Sequence, residues 1–115
     1  MTNQEKNIRI AELLGLKVEK VSMIEVGRVH VIIDSTTNGC LRIPNYCEDW
    51  SQLMPLCIEH SEHLECGVSQ TGDSYVARIT DSLGFCRVAF AKSKQTALVD
   101  CLIAVLEAKE KEQGK

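Results

Sequence analysis

The sequence predicts an α+β fold, an antiparallel sheet with helices packed on it. Three observations carry that expectation. Three strand-like segments run from Glu65 to Ala91, separated by short glycine-containing turns. Helical periodicity flanks that run on both sides. The 115 residues are 44% hydrophobic and 25% charged, an ordinary globular balance that excludes wholesale disorder. A chain of this length can bury roughly two-thirds of its unfolded surface, so one domain over residues 1–115 is expected, with a frayed tail at 111–115. The expected element order is α, one or two strands, α, β, β, β, α, an α+β sandwich.

Gln4 to Leu14 reads as a short helix, since Ile8, Ala11 and Leu14 recur at three-residue steps, and Gly15 stands where a C-terminal cap belongs. Leu16 to Val26 is ambiguous, with some period-two character at Leu16 and Val18. Arg28 to Asp34 is dense in β-branched residues and reads as a strand, and Ser35 to Gly39 follows as a turn. Cys40 to Ile43 is a short returning strand that Pro44 stops. Asp49 to Leu64 has helical spacing at Trp50, Leu53, Met54, Cys57, Ser61 and Leu64, with Asp49 as N-cap. Pro55 sits awkwardly inside it, so the helix either begins nearer Gln52 under a Ser51 cap or is kinked.

Glu65 to Gln70, Ser74 to Thr80 and Phe85 to Ala91 form the expected meander, turning at Thr71-Gly72-Asp73 and Asp81-Ser82-Leu83-Gly84. In its second strand Tyr75, Ala77 and Ile79 share a face. In its third, Cys86, Val88 and Phe90 alternate against Phe85, Arg87 and Ala89. The final helix starts at a Ser93 N-cap and runs to about Glu110. Ala97, Leu98, Cys101, Leu102, Val105 and Ala108 form its apolar stripe, with polar residues facing away.

Pro44, Tyr46 and Asp49 form a P-x-Y-x-x-D lead into the middle helix. With Ile10 to Gly15 at the start and the Ala-rich stretch Ala91 to Leu106, they give the chain a resemblance to the phage ABA sandwich domain, a family of small proteins of tailed bacteriophages and prophages. The resemblance covers most of the chain and implies a helix–sheet–helix fold. It also implies an accessory gene of a phage or prophage, acting in a bacterial cytoplasm in host takeover or evasion of host defence. The family brings no assigned activity, and its members often carry more aromatic residues in the strands than Tyr75, Phe85 and Phe90.

Charge narrows the function classes. Thirteen Lys and Arg against sixteen Asp and Glu leave a net charge of −3, which is no footprint for general nucleic-acid binding. No segment reaches the ~20 apolar residues of a membrane span. The start, MTNQEKNIRIAELLG, has no apolar signal segment. The six cysteines (Cys40, Cys47, Cys57, Cys66, Cys86 and Cys101) are therefore expected as thiols in a reducing compartment, with Cys57, Cys66, Cys86 and Cys101, which sit inside apolar patterns, as small core residues.

Cys57, His60, His63 and Cys66 have the residue types of a zinc site. Steps of three drift about 60° each around a helix, so four such positions on one helix cannot close a tetrahedron. No metal and no cofactor is assigned. No nucleophile elbow, P-loop or dinucleotide motif is present, so the chain reads as no enzyme but a binding protein.

Six residues are the candidate binding set. Tyr46 and Trp50 flank the middle helix start beside Asp49, and read either as core anchors or as a platform for a partner or a ring-shaped ligand. Lys92 and Lys94 stand at the start of the last helix. There the order α-β-β-β-α over Glu48 to Glu112 resembles a double-stranded RNA-binding domain, whose basic cluster grips phosphates. Arg87, with Arg28, His30 and Arg42, lies in a strand segment where charge marks the solvated face. Covered by an oligomer, these residues would line an anion or nucleotide pocket. The expected partners are a host protein or a small nucleotide ligand, and a dimer is the default assembly because a short sheet leaves an exposed edge.

Overall fold

The computed structural model describes residues 2–23, 27–33, 39–81 and 84–113. These form three helices and six strands, an α+β fold, in two compact units, Met1–Pro44 and Asn45–Lys115.

In the first unit, α1 (Asn3–Leu13) begins one position before the expected start because Thr2 caps it. The Glu5 N–H donates to Thr2 Oγ1 at 3.2 Å, and that hydroxyl donates back to Glu5 Oε1 at 3.2 Å. The helix ends at Leu13, one residue before the expected Leu14, and Gly15 follows the Leu14 C-cap at a φ of 85° that favours glycine. There the Gly15 N–H donates to the Glu12 carbonyl at 3.0 Å and the Leu16 N–H to the Ala11 carbonyl at 3.1 Å. This paired closure satisfies two carbonyls of the last turn.

The ambiguous segment becomes strand β1 (Val18–Met23), which pairs antiparallel with β2 (Gly27–Ile33), itself paired with β3 (Cys40–Arg42). Weak local alternation is decided here by the ladder of β2, which extends to an Ile33 N–H bond on the Lys17 carbonyl at 2.8 Å. Of the turn expected from Ser35 to Gly39, residues 35–38 lie outside the described residues. Ile10, Ala11, Val31 and Ile32 are buried.

In the second unit, α2 (Trp50–Glu59) starts under the Asp49 cap, whose carboxylate accepts from the Ser51 N–H at 2.9 Å and from Ser51 Oγ at 2.6 Å. Pro55 is inside it. The helix does not run on to Leu64. It stops at Glu59, and β4 (His63–Val68) begins earlier than expected. The Glu62 N–H already donates to the Thr80 carbonyl at 2.8 Å, and this strand pairing overrides the helical spacing of Ser61 and Leu64.

β4 pairs with β5 (Tyr75–Thr80) and β5 with β6 (Cys86–Ala91), the expected antiparallel meander. The second turn is held by Asp81, which is buried and whose carboxylate accepts the Phe85 N–H at 3.0 Å. Ser82 and Leu83 of that turn lie outside the described residues.

The last helix, α3 (Lys94–Gln113), packs on β5 and β6 and runs past Glu110. Ser93 caps it, with its Oγ accepting the Thr96 N–H at 3.1 Å. The expected single stripe is too narrow a description. Val99, Ile103 and Leu106 are buried along with Ala97, Leu98, Cys101, Leu102 and Val105. At 100° per residue these cover more than half the helix circumference.

Candidate binding surfaces

The register of the second unit sorts its side chains by face. Ile79 stands opposite Leu64 and Arg87, and Ala77 opposite Cys66 and Ala89, so alternation puts these on the side of the buried Ala77 and Ile79. The opposite face carries Val76, Arg78, Cys86, Val88 and Phe90, with Arg78 and Glu65 ion-paired at 3.6 Å. Phe90 is 63% and Val88 44% exposed.

This overturns one expectation. Charge in β6 does not mark the solvated face, because Arg87 points to the α3 side and the open side carries apolar residues. Arg87 stays exposed at the sheet edge and lines a groove of about 460 Å³ with Asp100, Ile103, Glu107 and Lys111 of α3.

The other candidate residues gather at a different end of this unit. Tyr46 is 4% exposed and its ring belongs to the core. Its carbonyl accepts from Gln95 Nε2 at 3.5 Å, which joins the turn before α2 to the first turn of α3. Asp49 is committed to the cap of α2, while Trp50, the first residue of that helix, is 41% exposed. Lys92 and Lys94 flank Ser93 and are exposed. Arg87 is five residues from Lys92, roughly 16 Å along an extended strand, so the structure does not bring it to the lysines.

Titration behaviour in this unit is governed by burial. Desolvation, reinforced by neighbouring thiols, pushes Cys57 up to about 12. Desolvation pushes Cys101 up to about 11, and its thiol donates to the Arg87 carbonyl at 3.1 Å. Tyr46 is raised by burial. His60 is lowered by burial and then by Lys109, whose Nζ lies 3.1 Å from His60 Nδ1. Each shift favours the uncharged form. The Cys57–Cys66 spacing is broken up by the fold, with Cys57 and His60 on and after α2 and His63 and Cys66 in β4. Cys57 and Cys101 are buried as expected, but Cys66 and Cys86 are exposed on the strands, because alternation does not tell which positions α3 covers. Among the described residues no group of three or more His, Cys, Asp or Glu could hold a metal ion, and no helix is long and apolar enough to cross a membrane.

The first unit contains a feature that the sequence only hinted at. His30 and Arg42 line one groove of about 140 Å³ with Gln4, Asn7, Ile8 and Ile43. In the β1–β2 register Lys20 stands opposite His30, and Ser22 opposite Arg28. Lys20 escaped the sequence reading because its strand was ambiguous, and the cross-strand partner is what assigns its face.

No protein-family model matches the chain, and no curated protein matches it. Among solved structures it is similar to a phage protein from Bacillus cereus ATCC 14579, known from a 2.0 Å crystal structure. The TM-score is 0.70 and the identity 16%, over 93% of this chain and 89% of that one. At that identity the likeness shows a shared fold.

Proposed function

We propose that the chain is a phage- or prophage-encoded binding protein that inhibits or sequesters a component of the bacterial host, in the cytoplasm, with no catalytic centre of its own. Anti-defence is the setting this reading favours. The observation that carries it is the open face of the β4–β5–β6 sheet, where Val88 and Phe90 lie exposed beside Val76. Contiguous apolar side chains on a solvated surface mark an interaction site. The inert state of the buried thiols supports the non-catalytic half, since a raised thiol is a poor nucleophile. The phage origin is supported by the fold shared with a phage protein and by the Pro44–Tyr46–Asp49 motif.

The test is native mass spectrometry and affinity capture of the full chain expressed in a bacterial host, beside a Phe90→Asp variant. One retained host component, lost in Phe90→Asp while the variant keeps its fold by circular dichroism, is the expected result. A chain that retains nothing, or that retains the same component equally in the variant, overturns the proposed surface. A retained mass that separates on denaturation distinguishes a small nucleotide from a host protein.

A second reading has its own observation. The second unit has the order α2-β4-β5-β6-α3, and Lys92 and Lys94 are both exposed at the start of α3. This is the arrangement of a double-stranded RNA-binding module. It expects affinity for RNA duplexes that falls with salt and is lost in Lys92→Ala with Lys94→Ala. Duplex affinity unchanged in that double variant would sink it.

A further inference from the structure

In the second unit β6 pairs with β5 alone, so its other side is an open edge of the sheet. The phase of the ladder decides which backbone groups point there. The Asp81 N–H donates to the Phe85 carbonyl at 2.9 Å, which marks Asp81 and Phe85 as a hydrogen-bonded pair. On the other side of β5 the Ser69 N–H donates to the Ser74 carbonyl at 2.8 Å, and the two ladders agree. Ile79 with Arg87, Ala77 with Ala89 and Tyr75 with Ala91 are then the bonded pairs between β5 and β6. Cys86, Val88 and Phe90 therefore turn their N–H and C=O groups away from β5. Among the described residues these groups have no partner.

Sheet edges are ordinarily protected by lysine, proline, inward charge or a bulge. From Phe85 to Ala91 this edge has no lysine, proline or glycine, and Arg87 is its single charge. The opposite edge, β4, carries His63 and Glu65 and has Gly67 within it. Phe85, Val88 and Phe90 are all exposed. A strand paired antiparallel with its own copy needs a twofold axis, and the residues choose its position. An axis at Val88 sets Val88 against Val88 and Cys86 against Phe90 of the other copy, so every outward group of β6 is bonded. Arg87 then stands opposite Ala89. An axis at Arg87 would oppose like charges, which is destabilising. An axis at Ala89 would pair Cys86 with Lys92, beyond the end of the strand.

The helix layer fits the same axis. α3 packs on both β5 and β6. With strands roughly 4.7–4.9 Å apart, the α3 axes of two such copies lie about 9.6 Å apart. Packed helices lie roughly 8–10 Å apart. The flank of α3 beside Arg87 is the groove of about 460 Å³, where Ala104 and Ala108 leave room for a second helix. Its charges balance, Asp100 and Glu107 against Arg87 and Lys111, so the flank carries no net charge with which to repel its own copy.

From this geometry we propose that β6 pairs antiparallel with β6 of a second copy about a twofold axis at Val88. The product is a continuous six-stranded sheet under two adjacent α3 helices. Its open side carries Val76, Val88 and Phe90 of both copies. The pairing does not rest on capture of a host component, because edge and face are read by different assays.

Analytical ultracentrifugation and native mass spectrometry of the full chain test it, with folding checked by circular dichroism. The unmodified chain should be a dimer. Val88→Glu and Val88→Lys each place like charges at the axis, and each should weaken the dimer about tenfold or more. Mixed in equal amounts, the two variants should form a one-to-one heterodimer, because opposite charges then meet. Val68→Glu, on the other edge strand, should stay dimeric. Amide exchange of the unmodified chain reads the same edge without a variant, and decides the matter if the variants do not fold. The Val88 and Phe90 N–H groups should be protected in the dimer and lose that protection on dilution. Four results would overturn the proposal: an unmodified chain that stays monomeric at its highest soluble concentration, a dimer that persists undiminished in Val88→Glu, folded variants that fail to pair when mixed, or Val88 and Phe90 amides whose exchange ignores concentration.

Discussion

Replacing Pro55 with alanine should make the protein more stable. Pro55 is the sixth residue of α2 and stands beyond the first turn, where its missing N–H would have bonded the Ser51 carbonyl. An interior proline is about 3 kcal/mol less favourable than alanine in a helix. Against this, proline restricts the unfolded chain, an advantage of roughly 0.4–1 kcal/mol that the substitution gives up. The residue is exposed, so no packing is lost, and the net expectation is a gain of about 2 kcal/mol. For a chain of this size, with a urea slope near 2 kcal/mol per M, the midpoint should rise by about 1 M. Trp50, the only tryptophan, is the first residue of the same helix, so its fluorescence reads the unit that is altered. A midpoint unchanged or lowered at the same slope would refute the reasoning, because residue 55 would then occupy a position where proline costs the helix nothing.

Three further outcomes are expected. Gly15→Ala should cost about 1–2 kcal/mol, because φ of 85° is disfavoured for any residue with a Cβ, and denaturant unfolding checks it. Cys57 holds its proton more tightly folded than unfolded. Its contribution is therefore whole below the ordinary thiol value of about 8.5, and stability should fall as pH rises from there towards about 12. Cys57→Ala should flatten that alkaline limb, and a thiol reagent should meet Cys40, Cys66 and Cys86 well before the buried three. His60 is shifted the other way, by burial and by Lys109. Its contribution is present above the ordinary histidine value of about 6.5 and is lost as pH falls through the lowered one. His60→Gln should make acid melting curves less pH-dependent below about pH 6.5.

What could be read from the sequence was local. Gly15, Asp49 and Ser93 cap their helices because each cap is written within a few residues, and the meander follows from two short turns. The end of α2 was not legible. Ser61 and Leu64 continue its period, and only the distant Thr80 carbonyl shows that the strand pairing wins. The side of the sheet taken by Arg87 was hidden for the same reason, since alternation gives two faces without saying which one α3 covers. In the candidate site, Arg28, His30 and Arg42 were visible as strand charges. That His30 and Arg42 line one groove with Gln4 and Asn7 needed the placement of α1, and that Lys20 stands opposite His30 needed the β1–β2 register.

The order in which the second unit is synthesised gives its last helix a temporal role. The meander is complete at Ala91, and a hairpin closes in roughly 1–10 μs. Its cover is the twenty-residue α3. Until α3 docks, the Ala77 and Ile79 side of the sheet has no helix over it, and at that stage one partly folded chain adheres to another through exposed apolar surface.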